Sequence, residues 1–599
     1  MLFFRYNYNC GCKATDIQST KDVYYETQLQ THSFGGICIF LISAFWQAYD
    51  AIVPLMLTNK FGLDQGASGI IMSLDNIFAL FMLPIFGALS DKKDTRFGKR
   101  TPFIVMGAIS AVICFIGLTV VDNTQLKKIG TSRDYLWESQ MSQTVEYKEN
   151  DLTDKNSPKD IVLKDYAARL YFNKDYSDLS ADEQAQLKAW FVDEDKLNYD
   201  TVYTYNRQTN TYKLYQKTEK GDIVDMDGNI KTDKSRTYNA YVSIVSSAKS
   251  LHANSITQQN IFVLVLFIVL LLAVLVSMAT FRSPAVALMP DVTVKPLRSK
   301  ANAIINLMGT AGGILVLLLG MFFGTGKVIN QQMSYTYYVI AVCGIMITAL
   351  VIFMMTVKEK RWNKEMLEQQ AILDEQEEQQ EAALVEVVAP TTEKLPKDKL
   401  RSLLFILASV ALWFIGYNAV TSKYSVYAVN VLDKDYNTTL LIAQAAAVVA
   451  YIPVGIVASK LGRKKTILAG IIMLTTAFTG AIFIDSSSPA WLISVLFALA
   501  GVAWATINVN SFPMVVELAK GSNTGKYTGY YYTASMSAQI VTPILSGYLM
   551  TGLGTMKILF PYAAIFVALS FVTMLFVKHG DSRPEQVKDK MELLAGADD

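Results

Sequence analysis

The sequence has few charged residues, histidines and cysteines. Only 18% of its 599 residues are Asp, Glu, Lys or Arg, whereas soluble proteins carry roughly 25%. The net charge of +2 provides no electrostatic footprint for a nucleic-acid partner. None of the three histidines lies well inside an apolar run, which excludes a histidine-based proton relay. Cys10 and Cys12 have no histidine nearby, so we expect neither a metal site nor a cofactor.

Long apolar runs account for the shortage of charge. Ile261–Met278 contains no charged residue, and about 20 apolar residues in a row span the hydrocarbon core of a bilayer. Twelve such runs divide into two sets of six: 34–57, 67–89, 102–121, 258–280, 301–323 and 334–356, then 401–428, 437–459, 464–484, 489–514, 527–552 and 556–577. The sequence therefore predicts an all-α membrane protein with twelve transmembrane helices in two six-helix bundles.

Hydrophilic segments separate and flank these bundles. The predicted organisation is a tail 1–33, a first bundle 34–356 with an insert at 122–257, a linker 357–400, a second bundle 401–577 and a tail 578–599. Lys and Arg crowd one alternating set of loops, whereas Lys60 stands alone in an opposite loop. The positive-inside rule then places both tails and the linker on the cytoplasmic side of the cell membrane (plasma or inner membrane). It places the insert on the opposite, outer side.

The insert has its own pattern of secondary structure. Residues 181–191 read as a helix, and residues 199–217 read as a β-hairpin because two Tyr- and Thr-rich runs flank a short polar turn. The insert is also rich in tyrosine, and aromatic surfaces bind carbohydrate. An ordinary small folded domain is the alternative that we favour.

Two loops share one pattern at equivalent places in the two halves. The first runs from Gly87 to Pro102 and the second from Gly455 to Lys465, and both read G-x-x-x-[DS]-K followed by G-[KR]-[RK]. Such repetition indicates duplicated halves. We predict that the two loops stabilise one conformation of a rocking pair of bundles; simple positive-inside anchors are the alternative. The residues of this conformational motif are Gly87, Asp91, Arg96, Gly98, Lys99, Arg100, Gly455, Gly462, Arg463 and Lys464.

The loop signature resembles that of the major facilitator superfamily. The segment Asp75–Phe103 is similar to the plant sucrose symporters and their animal and bacterial relatives, which sit beside the glycoside–pentoside–hexuronide:cation symporters. The segment Pro284–Asn302 and the residues Gly416–Ala419 are similar too, whereas the insert has no counterpart. The resemblance implies a major facilitator fold and secondary active transport by alternating access. It favours proton-coupled uptake of a disaccharide or related α-glucoside.

Two acidic residues lie inside apolar runs, Asp50 in the first and Asp75 in the second. A charge at the bilayer centre costs about 2.5–3.5 kcal/mol on insertion scales, so such acids are functional candidates. We predict that one or both carry the coupling proton; packing, or gating by Asp75, is the alternative. The melibiose-type branch has paired acids where this chain has Ala79 and Leu83, so a proton is favoured over sodium.

A sugar site needs hydrogen-bonding groups and aromatic faces. The runs supply candidates for it: Trp46, Gln47, Tyr49, Asn76, Asn306, Trp413, Tyr417, Asn418, Gln444, Asn508 and Gln539. Trp504 and Asn510 are further possibilities, and Asn508 and Asn510 are predicted to lie on different helix faces. Interhelical hydrogen bonding is the alternative role for each amide. Arg282 is placed at the cytoplasmic end of the fourth run, and Lys423 is expected to reach the outer surface.

No enzyme is predicted. The sequence has neither a phosphate-binding loop nor a G-x-S-x-G elbow, so ATP-driven pumping and hydrolysis are not supported. The expected partners are a small sugar, protons and membrane lipid, and a monomer is expected. Two other readings stay open: a uniporter or exporter of another small solute, and a transporter-like membrane sensor.

Overall fold

A computed structural model describes residues 35–149, 158–218, 222–225, 227–232, 235–294, 298–382, 397–516, 518 and 524–579. The predicted tail 1–33, most of the tail 578–599 and the later part of the linker lie outside these described residues.

Long helices occupy the predicted apolar runs. The chain begins with α1 (Ile37–Leu55), α2 (Gln65–Lys92) and α3 (Thr101–Ile129). The insert contributes α4 (Arg133–Gln140), α5 (Leu163–Phe172), α6 (Ala181–Val192) and α7 (Ser247–Gln259). The first half ends with α8 (Ile261–Val292), α9 (Arg298–Phe323) and α10 (Thr336–Thr356). The linker helix α11 (Glu359–Ala382) precedes α12 (Lys397–Tyr427), α13 (Tyr436–Leu461), α14 (Arg463–Ile482), α15 (Ala490–Val516), α16 (Thr524–Leu553) and α17 (Leu559–Leu575).

The all-α membrane fold is confirmed. Within the described residues, 10 helices are long and apolar enough to cross a membrane. Helices α13 and α16, of 26 and 30 residues, occupy the places of the eighth and eleventh predicted runs. Prolines such as Pro54, Pro84 and Pro284 lie inside these helices, which membrane helices tolerate because neighbouring groups satisfy the freed carbonyls.

The insert is a folded domain with its own core. Strands β1 (Thr144–Glu146) and β2 (Asp160–Val162) form one antiparallel pair. Strands β3 (Thr201–Asn206), β4 (Thr211–Lys217), β5 (Ile223–Asp225) and β6 (Thr237–Asn239) form an antiparallel sheet in the order β5-β4-β3-β6. The predicted hairpin is therefore confirmed as β3–β4, and the predicted helix as α6. Buried side chains including Trp137, Tyr166 and Trp190 form a core separate from that of the membrane helices.

The two faces of the membrane carry different parts of the chain. The insert side is the face that carries the insert domain. The linker side is the opposite face, which carries the Gly87–Pro102 loop and α11. A helical turn with π-type hydrogen bonds, Met56–Lys60, ends the first span at the insert side.

A buried ion pair joins the insert-side ends of the first and third spans. Lys60 Nζ lies 2.5 Å from Asp122 Oδ2, and both side chains are fully buried. The ring of Tyr335 lies 4.3 Å from the same ammonium, and Gln125 donates to the Lys60 carbonyl at 3.1 Å. Lys60, the lone basic residue of its predicted loop, is paired in this way because α3 continues past the predicted end at residue 121 to Ile129 and brings Asp122 to it.

Removing one charge of this pair is expected to destabilise the fold. Asp122→Leu leaves the Lys60 ammonium buried without a counter-charge, which costs about 3–5 kcal/mol. Thermal and denaturant unfolding of the purified protein measure the loss. The double variant Lys60→Met/Asp122→Leu removes both charges and is expected to lose far less. Equal losses in the single and double variants would contradict this account of the pair.

Candidate functional site

A cavity of about 700 Å³ lies between the two halves. Helices α1, α8 and α9 form one wall, and α12, α13, α15 and α16 form the other. The lining reaches Ile39 and Met289, at the linker-side ends of α1 and α8. Its polar and aromatic lining includes Ser43, Trp46, Gln47, Asp50, Arg282, Asn306, Thr310, Tyr417, Thr421, Ser425, Gln444, Trp504, Asn508 and Tyr532.

Close packing of α2 against α16 seals the insert side. A Cβ added to Gly69 would overlap the carbonyl of Pro543, and one added to Gly547 would overlap the carbonyl of Gln65. Lys423 of α12 crosses between the halves here and donates to the Gln65 carbonyl at 2.8 Å. The expectation that Lys423 reaches the outer surface was wrong: its side chain is only 1% exposed, because α2 and α16 cover it.

The same helices separate toward the linker side. Buried residues of α2 cluster in its first turns, between Gly66 and Ser73. The later side chains Phe81, Ile85 and Leu89 are exposed. The two halves thus meet at the insert side, and the cavity extends toward the linker side.

Seven of the predicted substrate-site and coupling residues line this cavity, together with the further candidate Trp504: Trp46, Gln47, Asp50, Asn306, Tyr417, Gln444 and Asn508. They come from both halves. Gln444 donates to Gln47 at 2.6 Å and so joins the two walls. Asn510, by contrast, is buried and donates to the Thr506 carbonyl at 2.9 Å.

The other predicted residues lie outside the cavity lining. Tyr49 and Trp413 are fully buried in the helical core; Tyr49 packs there against Phe45 and Trp46. Asn76 turns back on its neighbour, Asp75, instead of facing the cavity. Asn418 and Gln539 also lie away from the lining. Each sits on a cavity-lining or adjacent helix, but on a different face.

The two intramembrane acids have different surroundings. Asp75 accepts hydrogen bonds from the amide and the side chain of Asn76, at 2.5 and 2.7 Å. In the described part of the chain, Asp50 accepts none and lines the cavity. Asp75 interacts electrostatically with Asp50 and with Arg282. Asp50 is therefore the one of these two acids that lines the cavity.

The first loop of the conformational motif is organised around Arg100. Its guanidinium pairs with Asp91, bonds Asp291 Oδ2 at 2.7 Å and donates to Ser90 Oγ at 2.5 Å. The loop thereby ties the end of α2 to the end of α8 on the linker side. Gly87 contributes its carbonyl at 3.4 Å.

Glu359, the first residue of α11, caps the helix that follows this loop. Its carboxylate accepts from the amides of Lys99, Arg100 and Thr101 at 2.6–2.9 Å and from the Thr101 hydroxyl at 2.7 Å. A carboxylate at a helix N-terminus satisfies unpaired amides and is favoured by the helix dipole. Gly98 has a φ of +122° and no room for a Cβ, because Glu359 occupies that space. Arg96 lies outside this network, near the Phe97 ring.

The second loop makes different contacts. Lys464 donates to the carbonyls of Leu575 and Val577, at 3.0 and 2.5 Å, near the C-terminus of α17. Gly462 has a φ of +91° and ends α13. Gly455 and Arg463 flank this turn on α13 and α14. The two loops thus share a pattern and a position, but they bond to different helices.

Two family models match the chain. The model of the MFS_1 like family matches residues 38–431, and that of the Major Facilitator Superfamily matches residues 435–595. The chain belongs to the major facilitator superfamily. An uncharacterized MFS-type transporter from Methanocaldococcus jannaschii is 29% identical over 127 residues, which is 21% of this chain. The match spans only 30% of that relative.

A solved structure has the same fold as this major facilitator protein. The inward open conformation of the xylose transporter XylE from E. coli has a TM-score of 0.51 and 12% identity, over 95% of this chain and 99% of that one. A D-xylose-proton symporter has a TM-score of 0.48 and 12% identity, over 93% of this chain and 98% of that one. The family and the fold are those of membrane transporters.

Sequence reasoning misplaced one cavity residue of this major facilitator protein and missed another. Arg282 was placed at the end of the fourth span, but α8 continues to Val292, so the residue lies along the cavity wall. Its guanidinium lies 5.9 Å from the Trp46 ring. The apolar residues 284–289 after Arg282 were the signal that the helix continues. Tyr532 of α16 also lines the cavity, and no sequence pattern distinguished it from its tyrosine neighbours.

Proposed function

We propose that this chain is a proton-coupled transporter of a disaccharide or related α-glucoside that works by alternating access. One observation carries the proposal. The cavity holds buried polar atoms that have no hydrogen-bond partner among the described residues: Trp46 Nε1, Asn306 Nδ2, Gln444 Oε1 and Asn508 Oδ1. The two donors belong to the first half and the two acceptors to the second. A buried polar atom without a partner costs free energy, and hydroxyl groups of a sugar supply both kinds of partner.

The aromatic lining supports the same class of solute. Tyr417 and Trp504 stack with ring centroids 3.6 Å apart and an interplanar angle of 4°, and both line the cavity. A flat aromatic surface suits the apolar face of a pyranose ring. The volume of about 700 Å³ also falls within the range of roughly 300–1,000 Å³ that is usual for small-molecule sites.

Charge supports coupling to protons. Asp50 is a carboxylate in the cavity wall, beside the substrate-facing amides. A carboxylate that takes up a proton on one side and releases it on the other couples solute movement to the proton gradient. Asp75 interacts electrostatically with Arg282 and lies outside the cavity lining, whereas Asp50 lies in it, where a proton and a solute would meet.

The charge of the loops supports the direction. The linker side carries the basic residues of the Gly87–Pro102 loop, such as Arg96 and Lys99, and the Lys464 loop. By the positive-inside rule this side faces the cytoplasm. The described conformation is then inward-facing, and the insert lies on the outer side of the plasma or inner membrane.

A sugar-uptake panel in proteoliposomes, with and without a pH gradient, tests the proposal. For one proton per sugar, a gradient of one pH unit drives an accumulation of about tenfold, because a tenfold ratio corresponds to about 1.4 kcal/mol. We expect one disaccharide or α-glucoside to accumulate only when the compartment facing the insert side is acidic. Uptake that ignores the gradient indicates a uniporter, and transport of no sugar would remove the proposed substrate class.

A further inference from the structure

The insert domain bonds to the second half of the chain at three places on the insert side. Two of them are acidic turns, Asp433 before α13 and Asp485–Ser486 before α15. At the third, Lys148 of the insert donates to the Asn430 carbonyl at 3.4 Å, and its own carbonyl accepts from Lys557 Nζ at 2.6 Å. From these contacts we infer that the insert is a gating domain, which clasps the second half and stabilises the conformation closed on the insert side. The inference rests on alternating access but not on the identity of the solute.

Asp433 is the centre of the first contact. Its carboxylate accepts from the Tyr199 hydroxyl and, at 3.4 Å, from Asn239 Nδ2, and Lys217 Nζ lies 3.8 Å away. Burial, together with the Asp433 charge, raises the pKa of Tyr199 above its usual range. The phenol therefore keeps its proton and donates a hydrogen bond to the Asp433 carboxylate. All three partners belong to the insert, and the Asp433 side chain is 10% exposed. The contact is therefore largely desolvated.

The second contact combines an ion pair with a backbone hydrogen bond. Arg236 Nε lies 2.5 Å from Asp485 Oδ2, and Ser486 Oγ donates to the Thr237 carbonyl at 2.8 Å. Although burial opposes it, hydrogen bonds from Ser487 together with the Arg236 charge lower the pKa of Asp485, so the carboxylate stays ionised at neutral pH. Thr237 begins β6, the edge strand of the insert sheet, and Arg236 directly precedes it. The second half is thus held by an element of the insert core.

The insert moves with the first half. It is continuous with α3 and α8, and its helix α7 is fixed to the first half by two side-chain contacts: Asn254 donates to the Gly62 carbonyl at 2.7 Å, and Gln125 donates to Thr257 at 2.9 Å. Because the insert has its own packed core, it transmits force as one body. Any rotation that separates the halves on the insert side must break the bonds to Asp433 and Asp485.

Between described residues of the linker side, the ion pairs of Arg100 and Lys360 stay within the first half and α11. The bond from Lys423 to the Gln65 carbonyl joins the halves at the insert side, and the Gln444–Gln47 bond joins them deeper, in the cavity wall. The bonded side is therefore the one that must open to admit an external solute, and the insert sets how readily it opens.

A cysteine buried in the contact between α2 and α16 reports opening of the insert side. In a background in which the native cysteines are replaced, Ser68→Cys places a thiol on α2, where the serine side chain is fully buried near the α16 contact. In detergent, without sugar or a pH gradient, a water-soluble maleimide reacts with it only when the seal opens. The reading is thus independent of the proposed substrate and of proton coupling.

The test variant removes one charge at the contact of each acidic turn, Arg236→Gln with Asp433→Asn. Because the cations of the two pairs, Lys217 and Arg236, are 36% and 39% exposed, we expect the labelling rate to rise about threefold to tenfold. The matched control, Lys188→Gln, breaks the 2.7 Å pair with Glu138 inside the insert and is expected to leave the rate unchanged. The swap Arg236→Asp/Asp485→Arg is expected to restore a rate near that of the parent.

Ionic strength provides a second measurement, because salt shortens the Debye length from about 10 Å at 0.1 M to about 3 Å at 1 M. High salt should raise the labelling rate of the parent but raise that of the double variant only a little. If Arg236→Gln/Asp433→Asn fails to fold, Asp485→Asn is the substitute. An unchanged rate in the variant, or an equal rise in Lys188→Gln, would overturn the inference.

Discussion

Asp50→Asn is expected to abolish accumulation of the sugar against a gradient while leaving exchange of sugar across the membrane. The asparagine keeps the size and hydrogen-bonding capacity of the side chain but binds no transferable proton. Accumulation driven by one pH unit should fall from about tenfold to about equal concentrations. The measurement compares net uptake under a pH gradient with counterflow of labelled sugar in the same proteoliposomes.

Asp75→Asn is the matched comparison for this prediction. Asp75 already accepts two hydrogen bonds from Asn76 and lies outside the cavity lining. We therefore expect this variant to transport more slowly but to keep its response to the pH gradient. If Asp50→Asn still accumulates sugar and Asp75→Asn does not, Asp75 is the proton carrier and the role given to Asp50 is wrong.

Trp504→Ala is expected to raise the KM for the transported sugar by about tenfold or more. The substitution removes one ring of the stacked Tyr417–Trp504 pair in the cavity wall. An aromatic contact of this kind contributes about 0.5–1.5 kcal/mol beyond the area it buries, and about 1.4 kcal/mol corresponds to a factor of ten. Initial rates of uptake over a range of sugar concentrations measure the change. The KM of Trp504→Phe should lie between those of the parent and Trp504→Ala.

Trp413→Phe is the control, because Trp413 lies on a neighbouring part of the same wall but is fully buried in the core. Its KM is expected to match that of the parent, even if the protein unfolds at a lower temperature. A rise in KM for Trp413→Phe with no change for Trp504→Ala would show that the solute binds elsewhere.

The sequence was sufficient for features that depend on local pattern. Charge-free runs fixed the long helices, because only apolar side chains are stable in lipid. Alternating residues and a polar turn gave the β3–β4 hairpin. Seven candidate residues lie in one cavity because polar side chains inside apolar runs are costly unless they face a cavity or a partner.

Helix rotation and long-range partners could not be predicted in this way. Within a uniformly apolar run no hydrophobic face is defined, so the sequence did not separate Trp413 in the core from Tyr417 in the cavity. Glu359 contacts Arg100, which lies 259 positions earlier in the chain, and no local signal marks it as a cap. The end of α8 was misplaced because Arg282 interrupts the run, although the helix continues beyond it.

The contacts of the insert were equally inaccessible to sequence reasoning. Arg236 meets Asp485, and Tyr199 meets Asp433, only because the folded insert is positioned over the second half. Both acids lie in short polar turns, where a charge is normally solvated and carries no signal. The structure alone identifies them as partners.

Proton movement on addition of sugar is the most direct test that Asp50 couples sugar transport to protons. Proteoliposomes containing the protein, with no imposed gradient, are given the disaccharide identified by the uptake panel while the external pH is recorded in weak buffer. The account predicts an immediate alkaline shift, absent in Asp50→Asn, with roughly one proton taken up per sugar. Sugar entry at the parent rate without any change in external pH would contradict it.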